Sequence, residues 1–232
     1  MQLPYASYNP FAKSYSLPEI GHKILTPFTQ ESVPTRKLQD IVTEAFNFKI
    51  PLIEVEDSIY SLELFHGPTY AFKDMGARFL ARCLAFFNES NSQEVTILVA
   101  TSGDTGGAVA SGFFEVEGVN VVILYPSGKV SELQEKQLTT LGKNITALEV
   151  NGTFDDCQNL VKQAFLDQQL NDYLNLSSAN SINVARWLPQ SVYYFEAFKQ
   201  LEHQTEPVFS VPSGNYGNIT AGIMAHKMGL PV

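Results

Sequence analysis

Val95-Thr96-Ile97-Leu98-Val99-Ala100-Thr101-Ser102-Gly103-Asp104-Thr105-Gly106-Gly107 is the stretch that decides the architecture. Its first six residues are an apolar, β-branched run of strand length, and a turn with three glycines and three hydroxyl side chains then feeds a helix of small residues. The same order recurs downstream. Residues 119–125 read as a strand, and Ser131-Glu132-Leu133-Gln134 is a capping box that opens a helix stopping at Gly142. Residues 145–150 read as another strand, followed by a helix from about Phe154 to Asp167 whose apolar face holds Cys157, Leu160, Val161, Ala164 and Phe165. Strand then helix, repeated, predicts a parallel sheet with helices on both faces.

Upstream, an irregular arm leads to Pro34-Thr35-Arg36-Lys37-Leu38, where apolar residues at 38, 41, 42, 45 and 46 take the spacing of one helix face. Residues 52–55 and 60–65 read as strands, His66-Gly67-Pro68-Thr69 as a turn, and Lys73 to about Asn88 as a helix. Downstream, the pattern predicts a helix over about 184–200, a strand over 208–211, a turn over 212–218 and a final helix. There is no internal repeat, low-complexity stretch or linker.

At 232 residues the chain is one large domain or two small ones, with 44% apolar residues to fill a core. Fifteen basic against 24 acidic side chains give a net charge of −9, which excludes gripping nucleic acid or an anionic membrane by bulk charge. An anionic ligand must be held by local dipoles and a few placed cations. Two cysteines, Cys83 and Cys157, fall on apolar helix faces and suit a core in a reducing cytoplasm. The stretch from Met1 to Phe28 lacks a basic patch followed by an apolar run and so predicts no signal peptide. The longest apolar runs are strand-sized, far short of the roughly 20 residues of a membrane span.

Two turns carry anion-binding chemistry. Thr101–Gly107 and Ser213-Gly214-Asn215-Tyr216-Gly217-Asn218 both stand where a strand gives way to a helix, so their backbone N–H groups and the helix dipole can meet an anion. Each taken alone reads equally well as a tight turn. The chain has neither a Walker loop nor a Gly-x-Gly-x-x-Gly fingerprint, which leaves another phosphate ligand. Lys73, flanked by Ala71 and Phe72 at the start of a helix, sits where both surroundings and dipole disfavour a cation. An amine of lowered pKa near phosphate-binding turns points to pyridoxal phosphate, which offers an aldehyde to the lysine and a phosphate to a glycine-rich helix start. His22, His66, His203 and His226 show no ligand spacing, so no metal site is expected. Trp187 and Tyr193-Tyr194-Phe195 read as packing.

Five blocks together resemble the threonine synthases: residues 66–74, 101–106, 128–137, 180–186 and 211–218. The resemblance runs from about residue 14 to the last residue. It implies the two-domain fold type II architecture of pyridoxal-phosphate enzymes, like that of the tryptophan synthase β chain, with mainly parallel sheets and the cofactor between the domains. It also implies domains at 1–90 (arm and part of the large domain), 91–179 (the smaller α/β domain) and 180–232 (return to the large domain). Lys73 would bond the cofactor and shuttle protons. Ser213, Gly214, Asn215, Tyr216, Gly217 and Asn218 would cradle the cofactor phosphate. Ser102, Asp104 and Thr105 would receive the substrate carboxylate, and Asn180, Ser181 and Arg186 the phosphate of O-phospho-L-homoserine. Tyr70, Met75, Ser127 and Ser213 stand where the family often has other residues, and none of these removes a reacting group.

The activity so implied converts O-phospho-L-homoserine and water to L-threonine and phosphate. A serine or threonine ammonia-lyase, a phospho-lyase of the same fold and a non-catalytic paralogue are the rivals, and Asn180, Ser181 and Arg186 discriminate among the enzymes because a hydroxyamino acid has no phosphate to bind. The family continues beyond a position such as Val232, so this chain alone is expected to be inactive and to hold pyridoxal phosphate weakly or not at all. The open edge of a strand at 208–211 is expected to favour self-association.

Overall fold

A computed structural model describes residues 14–89, 94–201 and 206–232. It divides into two compact units: one is Pro68–Arg186, and the other joins the described residues up to Gly67 with Trp187–Val232. The divisions implied by the resemblance fall at 90/91 and 179/180. The helix at 74–88 falls in the sheet unit, where Ala77, Leu80 and Ala81 share a core with the central strands. His203 and residues 1–13 lie outside the described residues, and so does the first part of the stretch 1–28 read for a signal peptide.

The arm expected to be irregular contains a helix. α1 (Leu17–Thr29) starts at a capping box in which the backbone N–H and Oγ of Ser16 both donate to Glu19, at 2.7 and 2.6 Å, and it buries Ile20, Ile24 and Leu25. Pro18 occupies the first turn, where a helix needs no N–H from it. α2 (Thr35–Ala45) buries the expected face, Leu38, Ile41, Val42 and Ala45, and packs against α1. β1 (Leu52–Glu56) and β2 (Ile59–Leu62) pair as an antiparallel hairpin, and Gln200 clamps its approach by accepting from Leu52 N–H at 2.9 Å and donating to Ile50 at 2.7 Å.

The sheet unit follows. After α3 (Asp74–Asn88) come β3 (Val95–Ala100), α4 (Asp104–Phe113), β4 (Val119–Pro126), α5 (Glu132–Thr139), β5 (Ile145–Val150) and α6 (Phe154–Leu166). Two further elements, α7 (Gln168–Tyr173) and β6 (Asn175–Ser178), carry no strong sequence signal. β6 is Asn-Leu-Ser-Ser, too polar to stand out as a strand, yet it pairs in parallel with β3 from Val95↔Asn175 to Leu98↔Ser178. The four strands run parallel in the order β5-β4-β3-β6.

Strand alternation sorts the core onto two faces. Val95, Ile97, Val99, Val121 and Ile123 meet Ala77, Leu80, Val109 and Phe113 of α3 and α4, while Leu98, Ala100 and Leu124 meet Cys157 and Val161 of α6. Both faces are therefore helix-covered, as the repeated strand-helix pattern predicted. Cys83 and Cys157 are buried and free, and burial pushes the Cys83 thiol up to about 12.

The single helix expected over 184–200 is broken into α8 (Val184–Trp187), a 3-10 turn at Leu188–Gln190, and α9 (Ser191–Gln200). Pro189 has no N–H to donate and its ring opposes a continuous helix. The packing read for Tyr193-Tyr194-Phe195 is observed, since all three are buried on α9. Residues 208–211 do not form a strand, because no neighbouring strand among the described residues pairs with them. The sheet edge on which self-association was expected is therefore not formed. α10 (Gly217–Lys227) completes the chain. Among the described residues no helix is long and apolar enough to cross a membrane.

Candidate active site

β3 and β6 are neighbours in the sheet, and the segments leaving their carboxyl ends carry the six residues expected to bind substrate. This is the crevice where parallel α/β sheets bind ligands. Ser102, Asp104 and Thr105 leave β3 at the start of α4, and Asn180, Ser181 and Arg186 leave β6.

Lys73 caps the N-terminus of α3, and its Nζ lies 3.7 Å from Oδ2 of Asp104 and 5.3 Å from the centre of the Phe72 ring. Burial lowers its pKa below the ordinary lysine value; the Asp104 carboxylate opposes that shift and the Arg186 guanidinium adds to it. The direction is the one its apolar flanks predicted. The turn before Lys73 is held by Asp74, whose buried carboxylate accepts from the Thr69 N–H at 2.9 Å and from its hydroxyl. Burial also raises the pKa of Asp74. Tyr70, in the same turn, takes a left-handed backbone with φ 59°.

Thr101, one of the three hydroxyls of the loop, shapes the whole turn. Its buried Oγ1 accepts from Gly103 N–H at 2.9 Å and Gly106 N–H at 2.8 Å. That folds the chain into the start of α4 and leaves Ser102 exposed and Thr105 half-buried. Gln134, read as part of a helix cap, also reaches out of α5 and donates Nε2–H to Oδ1 of Asp104 at 2.7 Å.

The two side chains expected to bind substrate phosphate after β6 have other partners here. Asn180 donates to Ala100 C=O at 2.9 Å and accepts from Ala100 N–H at 3.2 Å, so its amide continues the β3–β6 ladder past the last paired residues. Arg186 is 3% exposed, and its Nη1 donates to the carbonyl of Lys73 at 3.4 Å. Ser181 is exposed.

The turn at 213–218 belongs to the other unit. Ser213 Oγ hydrogen-bonds Asn218 Oδ1, Asn218 Nδ2 donates to Pro212 C=O at 2.9 Å, and Ile219 N–H donates to Asn218 Oδ1 at 3.0 Å. Asn218 thus works within the turn. Behind it, the Tyr194 hydroxyl donates to Asn218 C=O at 2.7 Å. Tyr216, at φ 57°, turns the chain into α10. A Cβ built on Gly214 would meet nothing within 4 Å, so the turn opens onto free space in front of a helix N-terminus. Glycines, open space and a helix start fit the phosphate of pyridoxal phosphate, and Lys73 fits its aldehyde. Among the described residues no three His, Cys, Asp or Glu side chains gather to hold a metal ion.

Comparison with known proteins agrees with this chemistry. The profile of the family described as "Pyridoxal-phosphate dependent enzyme" matches residues 48–232. The threonine synthase of Serratia marcescens is 55% identical over 212 residues, 90% of this chain and 49% of its own length. Among solved structures, the threonine synthase of Escherichia coli superposes with a TM-score of 0.92 at 49% identity, over 99% of this chain and 54% of that one. The threonine synthase of Brucella melitensis, solved with bound pyridoxal phosphate, gives a TM-score of 0.91 at 41% identity, over 100% of this chain and 52% of that one. The chain spans about half the length of the relatives it matches.

Proposed function

The chain belongs to the pyridoxal-phosphate dependent enzymes, and from that premise we propose that its protein is a threonine synthase, acting on O-phospho-L-homoserine and water to give L-threonine and phosphate. The observation that carries the reading is Lys73: an amine of lowered pKa, beside the carboxylate of Asp104, at the open end of two parallel strands.

Pyridoxal phosphate, when bound, supplies an aldehyde for Nζ of Lys73 and a ring that draws electrons from the substrate's Cα. With the cofactor in place, Nζ of Lys73 would take the proton from the substrate's Cα and later return it. Asp104 favours the proton-bearing form and burial with Arg186 opposes it, so the amine can both accept and give up a proton. Ser102, Thr105 and the first N–H groups of α4 receive the substrate carboxylate. Gly214, Asn215, Gly217 and the start of α10 hold the cofactor phosphate, with Ser213, Tyr216 and Asn218 shaping the turn. Ser181 and Arg186 take the substrate phosphate, while Asn180 fixes the end of β3 through Ala100. Two free, buried thiols suit a reducing cytoplasm.

One observation favours a second reading. Arg186 already donates to the Lys73 carbonyl, an arrangement that also suits a lyase of this fold whose substrate carries no phosphate. The protein expressed from its complete reading frame and supplied with pyridoxal phosphate should release phosphate from O-phospho-L-homoserine and form threonine in equal amount. Phosphate without threonine would make it a phospho-lyase, and deamination of serine or threonine without use of phosphohomoserine would make it an ammonia-lyase.

A further inference from the structure

Gln134 stands outside the machinery described above, yet three features of its surroundings constrain it. Its Oε1 accepts from the N–H and Oγ of Ser131, at 3.3 and 3.1 Å, which leaves Nε2 as the free end of the amide. That end donates to Oδ1 of Asp104 at 2.7 Å. Gly103, the residue before Asp104, has φ 138°, and a Cβ there would fall 2.5 Å from Cδ of Gln134, so the turn at the start of α4 is built to admit this side chain.

A carboxylate is rigid and planar, so fixing one oxygen orients the other. Asp104 Oδ2 is the oxygen 3.7 Å from Lys73 Nζ, and the Asp104 side chain is 50% exposed, with solvent to turn into if its anchor is lost.

We propose that Gln134 is a positioning residue for Lys73: by holding Oδ1 of Asp104 it keeps Oδ2 facing the lysine amine and so sets the balance between its charged and neutral forms. The inference rests on Lys73 being the reactive amine and not on the identity of the substrate. The charged groups that face Lys73 are Asp104 on α4 and Arg186 on α8, and Gln134 acts on the first alone.

The test is competitive labelling with trace acetic anhydride across a pH series, read at the Lys73 peptide by mass spectrometry, with neither cofactor nor substrate present. Asp104→Asn should move the Lys73 midpoint downward, because it removes the charge that stabilises the ammonium form. Gln134→Met should move it in the same direction by at least half as much, and Gln134→Ala should do the same without added bulk beside Gly103. In the Asp104→Asn background neither change at 134 should move the midpoint further. An unchanged midpoint in both single variants overturns the proposal, as does a shift that persists undiminished when Asp104 is already Asn. A failure of the threonine synthase reading would show in the turnover assay and leave this titration unaffected.

Discussion

Arg186 donates Nη1–H to the backbone carbonyl of Lys73 at 3.4 Å, which places a buried guanidinium behind the amine at the head of α3. Two cations so placed disfavour one another, and Arg186 contributes to lowering the Lys73 pKa. Arg186→Met should raise the pH midpoint of Lys73 acetylation. In the complete enzyme the same change should cost on the order of 2 to 5 kcal/mol in kcat/KM, as truncating one partner of a desolvated charged contact does. A raised midpoint with kcat/KM near wild type would keep the electrostatic role and move the phosphate site elsewhere.

The lowered pKa of Lys73 also sets a pH dependence of stability. Its folded value lies below the ordinary 10.5, mainly because burial strips water from the ammonium group. Between the folded and ordinary values the unfolded chain binds the proton and the folded chain does not, so stability rises with pH across that window and is lower beneath it. Lys73→Met removes the buried charge. Urea melts should therefore find the variant more stable than wild type at about pH 7, with the advantage shrinking towards about pH 10. An advantage that does not change with pH would mean that packing, not charge, is responsible.

Gly76 tests how closely α3 must approach the segment after β6. A Cβ at 76 would lie 2.0 Å from the carbonyl oxygen of Arg186 and 3.0 Å from its carbonyl carbon, and backbone atoms cannot rotate out of the way as a side chain can. Gly76→Ala should cost about 1–3 kcal/mol or more in a denaturant melt, the usual range for overpacking. Because α3 would have to move off Arg186, it should also shift the Lys73 acetylation midpoint. A stable Gly76→Ala chain with an unshifted midpoint would show that the close approach is not needed.

What the sequence made legible was what apolar periodicity or turn chemistry encodes. β3, β4 and β5 are apolar runs ending in recognisable turns, and each was found within a residue of its observed ends. β6 is hidden because Leu176 is its one apolar side chain, and what marks it as a strand is its ladder to β3. α1 is legible in principle, since Ser16 and Glu19 spell a capping box ahead of Ile20, Ile24 and Leu25, although the arm as a whole reads as irregular. In the site, the residue types and the lowered pKa of Lys73 are readable, and several of the side-chain partners are not. That Asn180 spends its amide on Ala100 and that Gln134 reaches Asp104 are contacts across 80 and 30 residues, and local pattern does not report them.

Two glycines around the 213–218 turn should separate folding from ligand binding. Gly222 lies in α10 where a Cβ would fall 2.6 Å from the Tyr194 ring, whose hydroxyl holds Asn218. Gly222→Ala must displace a buried ring that backs the turn, at about 1–3 kcal/mol. Gly214 is the opposite case: a Cβ there meets no atom within 4 Å, so Gly214→Ala should change stability by no more than about 0.5 kcal/mol. The added methyl would project into the space in which a phosphate must approach the backbone. In the complete protein, Gly214→Ala should leave the melting curve near wild type while weakening pyridoxal phosphate, followed by its absorbance on titration. Gly222→Ala should lower the melting midpoint and weaken the cofactor only in proportion to the fraction unfolded. If Gly214→Ala binds pyridoxal phosphate as tightly as wild type, the turn is an ordinary helix start and the phosphate is held elsewhere.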